Sequence, residues 1–290
     1  MPEPLVAVQD LSVIFRKNRR ALTAVDRVSF AIDAGTTVGL VGESGSGKST
    51  TGRAIAGIGP ITSGTVSYRG QVLGARGFDR RAFRRQVQLI FQDPFSSLDP
   101  RQKVGDAIAE GIENFRLANS AAERRDQVQA LLAQVGLPPD AANRFPHEFS
   151  GGQRQRIGIA RALAVQPEFL VLDEPISALD VSIQAQIVNL LRQIQRDRHL
   201  TYLFIAHDLS MVRYLCDRVL VMSHGRIVEA GATAAVYTDP RHPYTKSLLS
   251  AVPHADPIYE HQKILVPDTS SAPAPDAKLT PVAKDHWVLQ

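Results

Sequence analysis

Short apolar runs, separated by polar or basic breaks, recur along most of the chain. Runs this short are typical of buried strands rather than of helices. The predicted strands are Leu5 to Val8, Leu11 to Phe15, Ala24 to Ile32, Thr37 to Val41, Val66 to Tyr68, Val87 to Phe91, Phe169 to Leu172, Tyr202 to Ala206 and Val219 to Met222. The first three follow one another closely and predict an antiparallel edge at the start of the fold.

The section from Lys103 to Val135 has a different pattern, because its apolar positions return mostly every three or four residues. This is the period of a helix, and the same spacing is found from Ile157 to Val165. A further helix is predicted from the glycine-rich loop after Val41 to about Ile58. Helix-length segments also separate the strands of the second half, which predicts parallel strands with covering helices and an α/β fold.

Composition excludes several classes of protein. The 290 residues are 44% hydrophobic and 21% charged, which is typical of a folded globular chain and not of a disordered or fibrous one. No stretch approaches the roughly 18 apolar residues of a membrane helix. The first residues carry an acid where a secretory signal would be basic. We therefore expect a chain that neither spans a membrane nor is secreted by this route.

Charge and cysteine content narrow the expected partners and compartment. The 33 basic and 29 acidic residues leave a net charge of +4, with short basic clusters at residues 16–20 and 80–85. Such clusters are usually solvated faces, so no nucleic-acid partner is expected. Cys216 is the single cysteine and cannot form an internal disulfide, which favours the cytoplasm. The Pro-, Ala-, Ser- and Asp-rich segment from Ser270 to Pro281 predicts a mobile tail.

A glycine-rich loop follows the predicted strand that ends at Val41, and it fits the pattern G-x-x-x-x-G-K-[ST] between a strand and a helix. Its residues are Gly42, Glu43, Ser44, Gly45, Ser46, Gly47, Lys48, Ser49 and Thr50. Glycines let successive N–H groups point inward, and Lys48 adds a full charge for the outer phosphates. Ser49 is placed to offer its hydroxyl to magnesium. The alternative, a simple glycine turn before a helix, leaves the Lys-Ser pair unexplained.

Two adjacent acids, Asp173 and Glu174, come directly after the apolar run from Phe169 to Leu172. Ligands collect at the carboxyl ends of parallel strands. Carboxylates at the end of a buried strand are costly unless a cation or a polar network receives them. We expect Asp173 to hold magnesium through water and Glu174 to orient or deprotonate the attacking water. The alternative is an exposed acidic turn after a core strand.

The segment from Phe149 to Arg156 distinguishes among P-loop nucleotide triphosphatases. It resembles the signature of ATP-binding-cassette (ABC) ATPases and, as in that family, lies shortly before the acid pair. The residues concerned are Ser150, Gly151, Gly152 and Gln153. A helix begins here, so N–H groups are available to a second anion, which we expect to be the phosphate of a nucleotide held by a partner. The alternative is a flexible glycine linker.

Four other positions match the ABC pattern. Gln92 resembles the glutamine that joins the magnesium and water shell and reports nucleotide state to the helical region. Asp180 resembles the aspartate of the loop at the dimer interface, and His207 the histidine that touches the terminal phosphate. Read alone, these three could be a surface glutamine, a helix N-cap and a histidine ending a strand. Phe15 could stack on adenine as the family's upstream aromatic does, or it could be a core residue.

The resemblance covers roughly residues 5 to 255. It implies a P-loop NTPase (RecA-like) α/β core with an antiparallel β subdomain and a helical subdomain. On this basis we expect an ABC ATPase domain at residues 1–255, with its helical subdomain at about 93–165. A partly disordered C-terminal extension would then occupy residues 256–290.

Two segments, Gln92 to Arg101 and Pro240 to Leu249, resemble the dipeptide, oligopeptide and nickel importer subfamily. The residues after Lys48 favour the second, F-type ATPase of the pair that those importers use. This implies a heterodimer with a second ABC ATPase subunit, two membrane-spanning permease subunits and, indirectly, an extracytoplasmic solute-binding protein. The chain would lie peripherally at the cytoplasmic face of the cell membrane. Many members hold an iron–sulfur cluster on cysteines of the C-terminal extension, and we expect none here because no cysteine follows Cys216.

The resemblance implies an ATP-hydrolysing subunit of an importer of di- or oligopeptides, with ATP and Mg²⁺ as ligands. One alternative is an ABC ATPase of DNA repair or translation, but the interval from Ser49 to Ser150 leaves no room for a coiled-coil arm. Another is a binding module that switches without hydrolysis, against which Glu174 and His207 argue. GTPases and kinases fit less well, since there is no N-K-x-D base reader and neither class needs the signature.

Overall fold

The computed structural model describes residues 3–17, 20–93, 98–252, 265–270, 272–274 and 276–290. It divides the chain into two compact units, residues 1–78 with 203–290, and residues 79–202. Parts of three predicted features lie outside the described residues. These are residues 18–19 of the first basic cluster, residues 94–97 of the segment after Gln92, and residues 256–264 of the C-terminal extension.

The strands are β1 (Val6–Lys17), β2 (Arg20–Ile32), β3 (Thr37–Val41), β4 (Ser63–Tyr68), β5 (Gln71–Val72), β6 (Val87–Ile90), β7 (Phe169–Asp173), β8 (Thr201–Ala206), β9 (Arg218–Ser223), β10 (Arg226–Ala232), β11 (Leu279–Ala283) and β12 (His286–Leu289). The α-helices are α1 (Lys48–Ile55), α2 (Arg80–Gln86), α3 (Val104–Asn114), α4 (Ala121–Gln134), α5 (Gly151–Leu163), α6 (Val181–Arg198), α7 (Leu209–Leu215), α8 (Thr233–Thr238) and α9 (Pro243–Ser250). Short 3₁₀ turns occupy Pro139–Asn143 and Pro146–Glu148.

The first unit contains the predicted antiparallel edge, which is confirmed. β1 pairs antiparallel with both β2 and β4, in the order β2-β1-β4-β5. β1 continues through Asp10, where the polar residues predicted a break between two strands. The register shifts between Val8 and Leu11, and Asp10 has a φ of 48°. Such a bulge lets a strand pass a polar interruption and keep its apolar residues on the buried face.

A second sheet of the first unit contains the strand that leads into the glycine-rich loop. Its order is β11-β12-β10-β9-β3-β8, with β3 parallel to β9. All five residues of β3 are buried, so this strand lies in the core and delivers the chain to the loop at Val41. β10, which the sequence pattern did not predict, pairs antiparallel with β9. Its polar residues Arg226 and Glu229 interrupt the apolar pattern, yet both are buried.

The end of the chain forms an antiparallel hairpin of β11 and β12 on the edge of β10. The prediction of a mobile tail is therefore wrong for Leu279–Pro281, which lie in β11. In the register of β12, Trp287 lies opposite Ala230, and the Arg218 guanidinium lies 5.2 Å from the centre of its ring. Composition predicted mobility here because the segment is rich in Pro, Ala, Ser and Asp, but β11 pairs with β12, which in turn pairs with β10.

The second unit holds most of the helices. The periodic section from Lys103 to Val135 forms α3 and α4 as predicted, with α4 capped by the Ser120 hydroxyl. Apolar side chains of α3, α4 and α5 are fully buried, and they include Ile108, Leu132 and Ile157. In the same unit β6 pairs parallel with β7, with Ile90 opposite Leu172. This pairing places the residues that follow the two strands at the same edge.

None of the helices in the described part of the chain is both long enough and apolar enough to cross a membrane.

Candidate functional site

The loop from Gly42 to Gly47 has a backbone that only glycine adopts easily. Gly42, Gly45 and Gly47 have φ values of 151°, 81° and 108°. A Cβ atom at Gly42 would lie 2.1 Å from the Met222 carbonyl oxygen, and one at Gly47 would lie 2.3 Å from that of Ala24. The loop therefore lies directly against the backbone of β9 near its end and of β2 within the strand, and side chains at these two positions would force it away. We call residues 42–50 the phosphate cradle.

The cradle presents the groups that bind anions. Its helix, α1, begins at Lys48 with Gly47 as N-cap, and no side chain caps it. Lys48 is 4% exposed, and its Nζ donates hydrogen bonds of 2.7 Å to the carbonyl oxygens of Gly42 and Glu43. The Ser46 hydroxyl is buried without a hydrogen-bond partner. A helix N-terminus, a buried ammonium and an unpartnered hydroxyl together fit the phosphates of a nucleotide.

Two neighbouring parts of the first unit hold the cradle by its backbone. The Gly225 N–H, in the turn between β9 and β10, donates to the Ser46 carbonyl at 3.0 Å. The Glu43 N–H donates to the Tyr244 hydroxyl of α9 at 2.8 Å. Sequence reasoning used the segment around Tyr244 only to recognise a subfamily and missed this contact, because residues 201 positions apart carry no local signal.

The acid pair lies at the end of β7. Asp173 is 1% exposed, and Glu174 is half-buried with a φ of 48°. A positive φ is uncommon outside glycine and costs of order 1 kcal/mol or more, and it clusters at functional sites. The Glu174 Oε2 accepts a hydrogen bond of 2.9 Å from the Gln92 side-chain amide, which follows β6. The structure thus brings together two of the residues predicted to act on water and magnesium.

The signature residues form the start of α5. Ser150 is its N-cap, and its hydroxyl accepts the Gln153 N–H at 3.3 Å while the Gln153 side chain accepts the Ser150 N–H at 3.0 Å. A Cβ atom at Gly152 would lie 2.5 Å from Ile183 of α6. This helix N-terminus is therefore supported from behind by α6, whereas Ser150 and Gln153 are exposed.

The loop before α6 carries Asp180, which is exposed and makes no side-chain capping bond to the helix. Gln184, one turn into α6, donates to the carbonyl oxygens of Ile176 at 3.1 Å and Leu179 at 3.0 Å. Gln184 thus fixes the backbone that presents Asp180. Sequence reasoning missed Gln184, although its spacing of four from Asp180 places it on the adjacent turn.

The remaining predicted residues lie in the first unit. His207 is exposed and directly follows β8. Phe15 of β1 is 43% exposed, which is inconsistent with the alternative that it is a core residue. The structure thus places the phosphate cradle, Phe15 and His207 in the first unit. The second unit holds the predicted residues Gln92, Ser150, Gly151, Gly152, Gln153, Asp173, Glu174 and Asp180.

Comparisons with known proteins identify the family of the chain. A family model described as ABC transporter matches residues 25–177, and one described as Oligopeptide/dipeptide transporter, C-terminal region, matches residues 228–277. The chain is 54% identical over 266 residues to the oligopeptide transport ATP-binding protein OppF of Bacillus subtilis, covering 91% of the chain and 87% of that protein. It is 50% identical over 294 residues to the dipeptide transport ATP-binding protein DppF of Lactococcus lactis, covering 99% and 94%.

Among solved structures, the fold is similar to the dimeric, post-hydrolysis ATP-binding cassette MJ0796, whose crystals hold ADP and phosphate. The TM-score is 0.71 at 27% sequence identity, covering 79% of the chain and 98% of that protein. The α/β fold is accordingly that of a P-loop NTPase of the ABC type. Because a family model matches more than half of the residues and full-length relatives are about 50% identical, the chain belongs to the ABC transporter family as an ATPase subunit.

Proposed function

We propose that the chain is the ATP-hydrolysing subunit of an importer of di- or oligopeptides. The observation that carries the proposal is the phosphate cradle, with its buried Lys48 ammonium and the unpartnered Ser46 hydroxyl. The names of the two relatives, which refer to oligopeptide and dipeptide transport, support the choice of solute.

Within the proposed reaction, the residues of the first unit bind ATP. Residues 42–50 hold the phosphates through backbone N–H groups and Lys48, and Phe15 stacks on adenine. His207 contacts the terminal phosphate. The Ser49 hydroxyl is a ligand that suits magnesium, which prefers oxygen donors.

The second unit supplies the groups that act on water. Asp173 and Gln92 complete the oxygen donors for Mg²⁺, which neutralises charge on the phosphates when it is bound. Glu174 orients or deprotonates the attacking water, and its hydrogen bond to Gln92 holds the carboxylate in place. Of the two proposed magnesium ligands in this unit, Gln92 is the exposed one, which suits a residue that reports the state of the nucleotide.

We also propose that the signature residues serve a nucleotide held by another subunit. Ser150, Gly151, Gly152 and Gln153 form an exposed or half-buried helix N-terminus, and the exposed Asp180 lies on the loop before the next helix. Hydrogen bonds to charged phosphate each contribute roughly 1.5 to 3 kcal/mol, so several that form together can drive closure of a dimer. A second ABC ATPase subunit is the proposed partner, and the resemblance to paired importer ATPases favours a heterodimer.

Contact with two membrane-spanning permease subunits is proposed at the second unit, which would place the chain at the cytoplasmic face of the membrane. A cavity of about 150 Å³ lies between β6 and α5, lined by residues that include Gln88, Phe91 and Gln155. Phe91 is 39% exposed, and the Gln155 side-chain nitrogen is buried without a partner. The ring of Phe91, directly before Gln92, and the unused donor of Gln155 suit a docked segment of a permease subunit. An extracytoplasmic solute-binding protein would act indirectly, by delivering peptide to the permeases.

The variant Glu174→Gln tests the catalytic assignment. ATP binding, measured by equilibrium titration, should be retained, while turnover should fall at least about 100-fold because the base that activates water is lost. Glu113→Gln, an exposed glutamate at the end of α3, serves as the matched control and should leave turnover unchanged. Full turnover by Glu174→Gln would remove this residue from the reaction.

Purification from native membranes tests the proposed assembly. A second ATPase subunit and two membrane proteins should copurify with the chain. Isolation as a lone homodimer, or with nucleic acid, would contradict it.

A further inference from the structure

Helix α9 connects the C-terminal part of the first unit to the phosphate cradle. Tyr244, in its first turn, is buried, and its hydroxyl accepts the Glu43 N–H at 2.8 Å. Burial raises the pKa of the Tyr244 hydroxyl, so this group is neutral and serves as a fixed acceptor. Glu43 is the second residue of the cradle, directly after the constrained Gly42. The contact therefore fixes the direction in which the backbone leaves β3 before it turns towards Lys48.

The position of α9 is fixed in turn by a buried carboxylate. Glu229 of β10 is 0% exposed, and its two oxygens accept the N–H groups of Arg241 at 2.8 Å and of His242 at 2.9 Å. His242 is the N-cap of α9, and its ring nitrogen accepts the Tyr244 N–H at 3.2 Å. Glu229 therefore holds the chain at the residues immediately before Tyr244.

The third member of this network comes from the C-terminal hairpin. The His286 Nε2 of β12 lies 2.6 Å from the Glu229 Oε1, and His286 is 2% exposed. A buried carboxylate is tolerated when several donors surround it, and here three donors come from two separate segments, the residues at the start of α9 and β12. A continuous set of contacts runs from His286 through Glu229 and the start of α9 to Tyr244 and the cradle.

We propose that Tyr244 is a positioning residue for nucleotide binding, and that Glu229 and His286 fix the helix that carries it. The proposal rests on the proposed function, because it assigns these residues to the geometry of the same ATP site. Without the hydroxyl, the Glu43 N–H has no acceptor, and the loop must shift to reach one. A shift at Glu43 moves the N–H groups and the Lys48 ammonium that receive the phosphates.

The first test compares two single-atom deletions by titrating the full chain with ADP, which requires no turnover. Tyr244→Phe should weaken ADP binding about three- to tenfold, the effect of one lost hydrogen bond. Tyr237→Phe is the control, since it removes a half-buried tyrosine hydroxyl that donates to the Leu209 carbonyl and not to the cradle. The unfolding temperature is measured for both variants. If both hydroxyls serve only the stability of the fold, both variants should unfold at a lower temperature and bind ADP as tightly as the unmodified chain.

The second test uses His286. His286→Leu removes the donor to Glu229 and should weaken ADP binding in the same direction. His286→Gln, whose side-chain N–H can take the place of Nε2, should restore affinity to within about twofold of the unmodified chain. In the Tyr244→Phe background, His286→Leu should have no further effect on affinity, because its influence is transmitted through Tyr244.

The outcomes separate the two proposals. ADP binding by Tyr244→Phe as tight as that of the unmodified chain would overturn the positioning role and leave the proposed function standing. Additive effects of Tyr244→Phe and His286→Leu would overturn the connection through α9. Failure of the unmodified chain to bind ADP or ATP would overturn the proposed function and this inference together.

Discussion

The two helix starts that we propose as phosphate sites, at Lys48 in the first unit and at Gly151 in the second, are built differently. The start at Lys48 is enclosed by its own unit, since Ala24, Met222, Gly225 and Tyr244 all contact the cradle. The start at Gly151 is supported from behind by α6 and the loop before it, and its capping residue Ser150 is exposed. An enclosed site can hold a ligand alone, whereas an exposed helix start needs a ligand presented from outside. The difference supports one site that binds ATP and one that closes on the ATP of a partner.

Replacing the charge of the enclosed site should have the largest effect. Lys48→Ala should weaken ATP binding by about 100-fold, because it removes a charged donor that contacts the phosphates at a buried position. Equilibrium titration with ATP measures the loss, and Lys284→Ala, at an exposed position of the hairpin turn, is the control. Near-normal ATP affinity in Lys48→Ala would break the comparison, since the enclosed site would then not be the one that binds.

Replacing the cap of the exposed site should separate binding from turnover. Ser150→Ala should leave ATP affinity of the isolated chain unchanged and lower turnover about tenfold or more, because Ser150 meets phosphate only in the closed dimer. Loss of the N-cap should also lower the free energy of unfolding by about 1 kcal/mol. Denaturant unfolding of the variant is therefore measured as well. Turnover is measured over a range of protein concentrations. A parallel loss of ATP affinity would mean that the signature serves its own chain's nucleotide.

The packing against β3, the strand that leads into the cradle, predicts a smaller effect on the free energy of unfolding. This effect depends on pH. Cys216 is buried against Gly39 of β3, and burial, followed by the charge of Asp217, raises the pKa of its thiol. A thiol in the unfolded chain loses its proton near pH 8.5, whereas the folded chain keeps it. The contribution to stability is therefore complete below about pH 8.5 and falls above it, by at most about 1.4 kcal/mol per pH unit.

Denaturant unfolding at several pH values, compared with Cys216→Ala, measures this difference. The alanine variant should lose less stability between pH 8 and pH 10. Equal losses in both proteins would show that the region beneath β3 admits water, which would weaken the contrast between an enclosed and an open site.

Local sequence was sufficient to predict the parts of the site whose residues are consecutive. The cradle, the strand that ends in Asp173 and the helix that follows Ser150 were predicted because each combines an apolar segment with a distinctive polar or glycine-rich group next to it in the sequence. The hydrogen bond between Gln92 and Glu174 agrees with the expectation that both serve the same water and magnesium shell. Their proximity follows from the parallel pairing of β6 with β7.

The features that the sequence did not predict depend on distant partners. β10 was missed because Arg226 and Glu229 break its apolar pattern, and each becomes acceptable only through contacts made elsewhere in the chain. Arg226 donates to the carbonyl oxygens of Ala274 and Ala277, and Glu229 receives three donors. The hairpin of β11 and β12 was missed for the same reason, since its stability comes from the edge of β10. The local pattern of apolar and polar residues does not predict such pairings between distant segments.

Trp287 is the only tryptophan in the sequence and occupies the residue after His286, opposite Ala230. Tryptophan fluorescence of this protein therefore originates from a single place, the strand that donates to Glu229. Any rearrangement that separates the hairpin from β10 also removes the indole from the Arg218 guanidinium and changes its emission. The chain thus carries a natural optical probe, without labelling, for the attachment of its last strand.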